Sequence, residues 1–345
     1  MNKYYVILLV LVLFLGLAFY EMTPQEKTIY VVSMTANEMS GALKNGTIDG
    51  FISWEPFPTK AAFDGYGKSL INSKDAWENH PSCSLALSED IKDENTKIAI
   101  VWALVKGTRF INDPANREKV LGYGGEFSGL DRELVSLAIN NTQYVEFPDI
   151  DQTKEGLKIL YEAGALKNSM DSIGYKDVDD FLENFFIDKY YTEVRQRLDE
   201  NPDWTPAAVN ESIRFGYIDG NIHYLAIYVA QKEGYFEKTG LVPGKNIQFT
   251  GYRNGKAILD AFKHREVDAA ELGTTVILKF KIDDNGRVAV ISGVNTGGSS
   301  LVVRADSGIM TLGDLNGRRI ATTGFGTCQD TIMRKMFEGF EIKTG

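Results

Sequence analysis

Residues 257–273 read AILDAFKHREVDAAELG, and residues 39–54 read MSGALKNGTIDGFISW. Both stretches run from an apolar helix ending in Ala-Phe-Lys or Ala-Leu-Lys, through a polar turn, into a Val-Asp or Ile-Asp pair and a strand. The same helix–turn–strand unit therefore occurs twice, far apart in the chain. Two lobes of similar design would produce such a pair, and chance similarity of two helix–strand units is the alternative.

Strand-like runs alternate with helical segments on both sides of these units. Short strands that alternate with helices of about ten or more residues are typical of α/β lobes with largely parallel sheets. Residues 178–212 differ, because they are rich in aromatic and charged side chains and end in proline-containing breaks, so we expect a terminal helix and a linker there. The clearest strand-like runs are Tyr30–Met34, Gly50–Trp54, Ser84–Leu87, Arg214–Tyr217, Asn246–Thr250, Val288–Ser292, Ser300–Val303 and Arg319–Thr322.

Composition excludes one class of partner. Of the 345 residues, 43% are hydrophobic and 24% are charged, which is ordinary for a soluble globular chain. The formal net charge is −10, so there is no surplus of basic residues to neutralise the phosphates of a nucleic acid. A small anionic ligand remains compatible with this charge, because backbone amides and helix N-termini bind anions.

The cysteine and histidine content predicts no metal and no cofactor. The chain has two cysteines, Cys83 and Cys328, and lacks CxxC, HExxH and any carboxylate cluster with metal-ligand spacing. Outside the cytoplasm the two cysteines would form one disulfide if they lie close together, and otherwise they are separate structural thiols.

An apolar run near the N-terminus bears on location. Residues 4–20 read YYVILLVLVLFLGLAFY and follow Lys3, a pattern typical of export signals. No A-x-A cleavage pattern follows, and the run is at the lower length limit for a membrane span. We therefore expect residues 1–20 to be an uncleaved membrane anchor or a cleaved signal peptide, followed by a tether at 21–28. Both interpretations place the remainder outside the cytoplasm.

Candidate ligand-binding residues follow the predicted strands. Ligands of α/β lobes bind beyond the carboxyl ends of parallel strands, where loops and helix N-termini meet. In the later half of the chain, the polar and glycine residues at these positions are Asp219, Asn221, His223, Arg253, Asn254, Gly273, Thr274 and Thr275. A further helix start follows the strand at 319–322, where glycines allow close backbone approach to an anion; its candidates are Gly324, Gly326 and Thr327.

Several stretches together resemble one protein family. They are IRFGYIDGNIHYLAIYVAQKEGYFEKTGL at 213–241, VDAAELGTT at 267–275 and GGSSLVVRADSGIMTLGDLNGRRIATTGFGTCQD at 297–330. Their order is similar to the start of ABC-transporter solute-binding proteins of the nitrate, sulfonate and taurine type, which are related to binding proteins for pyrimidine precursors of thiamine. The resemblance implies a two-lobed periplasmic-binding-protein-like fold of type II, with two mainly parallel sheets joined by a hinge.

The earlier half of the chain resembles the later half of the same family. IDGFISWEPFPTKA at 48–61 is similar to the stretch that closes the second lobe, and NHPSCSLALSEDI at 79–91 to the strand that returns to the first. The two halves thus stand in exchanged order, which indicates either a circularly permuted single domain or a fusion of two partial ones. The resemblance adds Trp54, Glu55, His80 and Ser299 to the candidate ligand-binding residues.

The exchanged order predicts the following arrangement of the chain. Residues 29–78 would form the second half of lobe 2 and 79–177 the C-terminal part of lobe 1. Residues 213–310 would form the core of lobe 1 and 311–345 the first half of lobe 2. The helix at 329–340 would lead into the strand at 29–34 if the chain ends were joined.

The resemblance implies a binding protein and no enzyme. Such a protein would deliver a small anionic solute, similar to a sulfonate or nitrate, to the permease of an ABC importer. Two alternatives remain: a thiamine-pyrimidine-precursor binding or biosynthetic protein of the same fold, and a sensory ectodomain held at the membrane by residues 4–20. No catalytic residues are expected, because the histidines and cysteines form no known catalytic motif.

Overall fold

The chain forms two six-stranded sheets, and helices pack against each of them. The computed structural model describes residues 27–345, so the apolar run at 4–20 and most of the predicted tether lie outside the described residues. Within this range, no helix is both long enough and apolar enough to cross a membrane. We refer to the two sheets with their helices as lobe 1 and lobe 2.

Lobe 1 contains strands from both halves of the chain. Its sheet has the order β5-β9-β4-β8-β6-β7, in which β6, β7, β8 and β9 run in one direction and β4 and β5 in the other. The strands are β4 (Cys83–Ser88), β5 (Thr142–Tyr144), β6 (Ile213–Ile218), β7 (Ile247–Tyr252), β8 (Ala269–Gly273) and β9 (Val288–Gly297).

Lobe 2 is built in the same way. Its sheet has the order β12-β1-β11-β2-β10-β3, and only β10 runs against the other five strands. The strands are β1 (Lys27–Ser33), β2 (Gly50–Trp54), β3 (Gly67–Asn72), β10 (Ser299–Arg304), β11 (Arg319–Thr322) and β12 (Phe340–Thr344). The two-lobed α/β fold expected from the sequence is confirmed. Both sheets are mixed, because β4, β5 and β10 pair antiparallel with their neighbours.

Fourteen α-helices connect the strands among residues 27–345. Lobe 2 contains α1 (Ala36–Lys44), α2 (Phe57–Phe63), α3 (Ser73–Ala76) and α14 (Cys328–Met336). Lobe 1 contains α4 (Glu94–Asn112), α5 (Arg117–Ser128), α6 (Arg132–Asn141), α7 (Ile150–Glu162), α8 (Val178–Phe185), α9 (Lys189–Glu200), α10 (Leu225–Lys232), α11 (Tyr235–Lys238), α12 (Gly255–Lys263) and α13 (Thr274–Asp284).

Helices cover both faces of each sheet. In β4, Leu85 and Leu87 pack into one apolar cluster and Ala86 into another, because successive side chains of a strand point to opposite faces. The same alternation divides β2, where Ile52 and Phe51 belong to separate clusters. Strands buried on both faces read as continuous apolar runs, and this is why the sequence identifies the central strands well.

Two crossovers join the lobes. One is Gly298, the single residue between β9 in lobe 1 and β10 in lobe 2, and the other is residues 77–82, which lead from α3 to β4. Gly297 and Gly298 both have positive φ, at 69° and 70°. Since β10 already belongs to the sheet of lobe 2, the chain enters that lobe at Ser299, earlier than residue 311 where we expected it.

The two remaining differences from expectation concern helix ends. Residues 178–212 form two helices, because Phe186 leaves the helical path to make a β-bridge with Val290. The helix predicted over 329–340 ends at Met336, and the alternating residues that follow form β12. This strand lies parallel to β1, with Phe340 opposite Lys27.

Candidate functional site

The lobes enclose a cleft of about 870 Å³. From lobe 1 it is lined by the segments that follow β6, β7 and β8, together with the start of β4. From lobe 2 it is lined by the segments that follow β1, β2 and β11. Carboxyl ends of parallel strands from both lobes therefore face one another, in the position where open α/β sheets bind ligands.

The turn after β6 contributes three of the predicted residues. Asp219, Asn221 and His223 all line the cleft. The backbone N–H of His223 donates to Asn221 Oδ1 at 3.0 Å, which fixes the turn. His223 Nε2 lies 2.8 Å from Gly298 O and must donate to it, because a carbonyl oxygen only accepts. Burial lowers the pKa of His223 to about 4, so this side chain is neutral and ties lobe 1 to the hinge.

The turn after β7 supplies a cation. Arg253 lines the cleft, is exposed to solvent, and has no ion-pair or hydrogen-bond partner among residues 27–345. The neighbouring Asn254 side chain accepts from the N–H of Ala257 at 3.0 Å and so begins α12. A free guanidinium beside a helix N-terminus forms a favourable environment for an anion.

Lobe 2 contributes an aromatic wall. Trp54 and Phe57 line the cleft with their rings edge to face, 5.9 Å between centroids. Tyr224 lies on the lobe 1 side of the same cleft. Thr327 also lines it and caps α14, where its hydroxyl accepts from the N–H of Asp330. The cleft thus combines aromatic surface with a small number of polar groups, as ligand sites generally do.

Four predicted residues lie at the sheet ends but do not line the cleft. Thr274 Oγ1 is 2.8 Å from Ser84 Oγ, and Thr275 Oγ1 is 3.1 Å from the sulfur of Cys328. Ser299 accepts from Gln329 Nε2 at 3.3 Å. Glu55 is fully buried against Asn141 of lobe 1. Of the residues that follow β8, only Gly273 and Val276 line the cleft.

The glycines before α14 are also turned away from the cleft. The N–H of Gly326 donates to Asp330 Oδ2 at 3.0 Å, so the group that we expected to bind an anion already has a carboxylate partner. Neither Gly324 nor Gly326 is among the lining residues. At this helix start the cap Thr327 is the candidate that faces the cleft, together with Cys328 and Gln329.

His80 lies in the crossover at 77–82, next to a separate cavity of about 290 Å³. Its side chain is fully buried, and neither ring nitrogen has a hydrogen-bond partner. Burial lowers the pKa of His80 to about 3, which keeps the ring neutral. Among the described residues, no group of three or more His, Cys, Asp or Glu side chains could hold a metal ion.

The two cysteines are free, buried and on opposite lobes at the base of the cleft. Cys83 Sγ is 3.4 Å from Tyr224 Oη, and Cys328 Sγ donates to Ser82 O at 3.2 Å. Burial raises the pKa of both thiols. A protonated thiol is a weak nucleophile, so the cysteines are suited to packing and hydrogen bonding.

The lobe 2 segment at the end of β1 is absent from the residues predicted from the sequence. Residues 33–38 follow β1 and line the cleft, and Lys60 on α2 does so too. The strand-end rule that predicts Asp219 and Arg253 applies equally to the end of β1, where it indicates Thr35 and Asn37.

Two family models match separate stretches of the chain. A model described as the NMT1-like family matches residues 11–123, and one described as NMT1/THI5 like matches residues 221–344. Each match covers about a third of the chain, so the chain is similar to these families in two separate stretches. The matched ranges include Trp54 and Lys60 in the first and His223, Arg253 and Thr327 in the second.

Curated proteins similar to parts of the chain are named for bicarbonate or nitrate. The chain is 31% identical over 97 residues to the bicarbonate transport ATP-binding protein CmpC of a Synechocystis strain, covering 28% of the chain and 14% of the relative. It is 35% identical over 98 residues to the nitrate import ATP-binding protein NrtC of Synechococcus elongatus, covering 28% and 15%. It is 29% identical over 97 residues to the bicarbonate-binding protein CmpA of Synechococcus elongatus, covering 28% and 22%. Each alignment spans less than a quarter of the relative's length.

Proposed function

We propose that the chain is an extracytoplasmic solute-binding protein that delivers a small anionic solute to an ABC importer. The observation that carries this proposal is the cleft between the lobes, with the unpaired Arg253 beside the N-terminus of α12. Guanidinium groups bind oxyanions through several N–H donors at once, and the helix N-terminus adds favourable electrostatics.

The solute classes follow from the relatives and from the cleft. Relatives named for bicarbonate and nitrate support an oxyanion of low molecular mass. The aromatic wall of Trp54 and Phe57 would also accommodate the organic part of a sulfonate. We therefore place nitrate, bicarbonate and alkylsulfonates together as the first candidates.

Binding would couple to movement of the lobes. Gly298 and residues 77–82 are the two connections between the lobes, and such crossovers act as hinges in two-lobed proteins. A solute that contacts Arg253 on lobe 1 and Trp54 on lobe 2 favours the arrangement in which both are close. A transporter would recognise that arrangement, and residues 4–20 would hold the protein at the membrane or direct its export.

A pyrimidine precursor of thiamine is the second candidate. The observation in its favour is the pair of partly exposed aromatic side chains, Trp54 and Phe57, that lines the cleft from lobe 2. Rings placed in this way can stack on a flat heterocycle. We propose binding without catalysis in either case, because the thiols at the base of the cleft are held protonated and His223 is committed to the hinge.

Thermal unfolding of the purified chain with a panel of compounds tests the proposal. The panel is nitrate, bicarbonate, taurine, methanesulfonate and 4-amino-5-hydroxymethyl-2-methylpyrimidine. A compound that binds only the folded state stabilises it by about 2.7 kcal/mol at one hundred times its Kd. A saturable shift with one of the anions supports the first candidate, and a shift with the pyrimidine alone supports the second. No shift with any of the five compounds contradicts both.

A further inference from the structure

Glu55 connects lobe 2 to lobe 1 at the hinge. It follows β2 directly and is fully buried. Its Oε1 accepts from Asn141 Nδ2 of lobe 1 at 2.9 Å, and its Oε2 accepts from the N–H of Thr59 on α2 at 3.2 Å. The carboxyl group thus lies between α2 of one lobe and the C-terminal end of α6 of the other.

The same residues also hold the peptide of the hinge. The N–H of Glu55 donates to Gly298 O at 2.8 Å, and His223 Nε2 donates to the same oxygen. The N–H of Gly298 donates to Asn141 O at 2.9 Å. One crossover peptide is therefore bound by lobe 2 through Glu55 and by lobe 1 through Asn141 and His223. Any rotation of the lobes about Gly298 changes the surroundings of the Glu55 carboxyl group.

Among residues 27–345, no charged partner compensates this buried carboxyl. On α2, Lys60 pairs with Asp64, and on α3, Lys74 donates to Asn140 O. From the turn before α10 the nearest titratable group is His223, which burial keeps neutral. Elements β10 and α6 contribute Ser299 and Asn141, which do not titrate. Burial therefore dominates and raises the pKa of Glu55 to about 7, opposed by the hydrogen bonds from Asn141 and Thr59.

We propose that protonation of the Glu55 carboxyl group favours the arrangement in which α2 and α6 are in contact, so that the lobes close more readily in acid. When the lobes separate, water can reach the carboxyl group. Its charged form is then hydrated and no longer destabilised by burial. The consequence for solute affinity rests on the proposed function, whereas the change in lobe arrangement does not.

The direction of the effect follows from proton linkage. With α2 and α6 in contact, the pKa of Glu55 is raised to about 7. When they separate, this pKa returns toward the ordinary value of about 4.5. Protonation of Glu55 stabilises the contact between α2 and α6. This stabilisation is fully present when the pH is below the ordinary pKa of about 4.5, and it is lost as the pH rises to about 7. Between pH 5 and pH 8 the ratio of closed to open molecules should fall at least about tenfold.

Hydrogen–deuterium exchange of the full chain measures this ratio without any ligand. Protection factors, which correct for the intrinsic pH dependence of exchange, are determined from pH 5 to pH 8 for the amides of Glu55 and Gly298, whose N–H groups donate to Gly298 O and Asn141 O at the crossover. We expect protection of both amides to fall about tenfold or more in the wild type. Glu55→Gln should keep its high protection at pH 8, because the amide resembles the protonated carboxyl group. Glu162→Gln, at an exposed site on α7, is the matched control and should behave as the wild type.

A second variant tests the proposal independently, in case Glu55→Gln does not fold. Asn141→Ala keeps the carboxyl group but removes a hydrogen bond to its charged form, so the loss of protection should move to higher pH. Equal pH dependence in the wild type and Glu55→Gln, or an unmoved transition in Asn141→Ala, overturns the proposal. A pH-dependent ratio in a protein that binds none of the five compounds refutes the proposed function alone. Solute binding with pH-independent protection refutes this inference alone.

Discussion

Gly273, at the end of β8, provides the space that Cys328 of lobe 2 occupies. A Cβ at this position would lie 2.8 Å from the Cys328 sulfur, although the backbone itself would accept alanine. Gly273→Ala should therefore destabilise the protein by about 1–3 kcal/mol through overpacking. In a Cys328→Ala background the same change should cost much less. Urea unfolding of the four proteins measures the coupling, and an equal cost in both backgrounds would show that the two residues are not in contact.

Glu271 is a buried carboxyl group in the centre of lobe 1. Neither of its oxygens has a hydrogen-bond partner within the described part of the chain, and burial raises the pKa of Glu271 well above the ordinary value. Its contribution to folding is most favourable in acid and falls as the pH rises above the unfolded value of about 4.5. Glu271→Gln should raise the free energy of unfolding at pH 8 by about 1–3 kcal/mol, with a smaller gain at pH 4. Thermal unfolding at the two pH values tests this, and a uniform gain would contradict it.

Strand ends were predictable from the sequence, but the direction of each side chain was not. Asp219, Asn221, His223 and Arg253 follow predicted strands, and the structure places all four at the cleft. Trp54 and Glu55 are adjacent in one predicted ligand-binding stretch, yet Trp54 lines the cleft while Glu55 is buried at the hinge. Adjacent side chains leaving a strand point in different directions, so a sequence motif that names both cannot show which one faces the ligand.

At the scale of elements, the crossover at Gly298 depends on the absence of a side chain. Its φ is +70°, and a Cβ would lie 2.3 Å from His223 Nε2. Gly298→Ala should cost about 1–2 kcal/mol for the backbone conformation alone and considerably more because of this contact. Gly308 is the matched control, because its φ is +71° and a Cβ there would meet nothing within 4 Å.

Chemical denaturation of Gly298→Ala and Gly308→Ala separates the two costs. We expect the Gly308 variant to lose only the backbone penalty and the Gly298 variant to lose more, together with the hydrogen bond between His223 and the hinge. Equal losses would mean that the crossover tolerates a side chain and that His223 does not hold it.

The central strands were predictable, whereas three of the four edge strands were not. Runs such as Gly50–Trp54 and Arg319–Thr322 match the observed β2 and β11, because strands buried on both faces are continuous apolar segments. No run was recognised for β3, β5 or β12. β5 is only three residues long, and β12 is largely exposed at the edge of its sheet, so neither carries a strong apolar pattern.

At the scale of the whole molecule, both halves of the chain contribute strands to each sheet. β1, β2 and β3 lie in one sheet with β10, β11 and β12, and β4 and β5 lie in the other with β6 to β9. We propose on this basis that the chain is a single, circularly permuted two-lobed unit, since a fusion of two partial domains would not need to interleave its strands. The sequence alone left the two possibilities open because it does not show which strands are neighbours.

A reordered chain tests the permutation. β12 begins opposite the start of β1, with Phe340 beside Lys27, and most of its residues are exposed. A chain of residues 213–339, a short glycine linker and residues 27–212 would let α14 lead into β1 in place of β12. We expect cooperative thermal unfolding with a midpoint within a few degrees of that of residues 27–345 in the native order. Non-cooperative unfolding of the reordered chain alone would contradict a single permuted unit.

The most direct test of the central claim, that an anionic solute binds between the lobes, is titration calorimetry with Arg253→Gln. Taurine, methanesulfonate, nitrate and bicarbonate are titrated into the wild type, this variant and Arg287→Gln, whose arginine pairs with Asp90 and is not among the residues that line the cleft. We predict that one of these anions binds the wild type and Arg287→Gln equally. Arg253→Gln should bind it at least about tenfold more weakly, a loss of about 1.4 kcal/mol. Unchanged affinity in Arg253→Gln, or no binding of any anion to the wild type, would contradict the account.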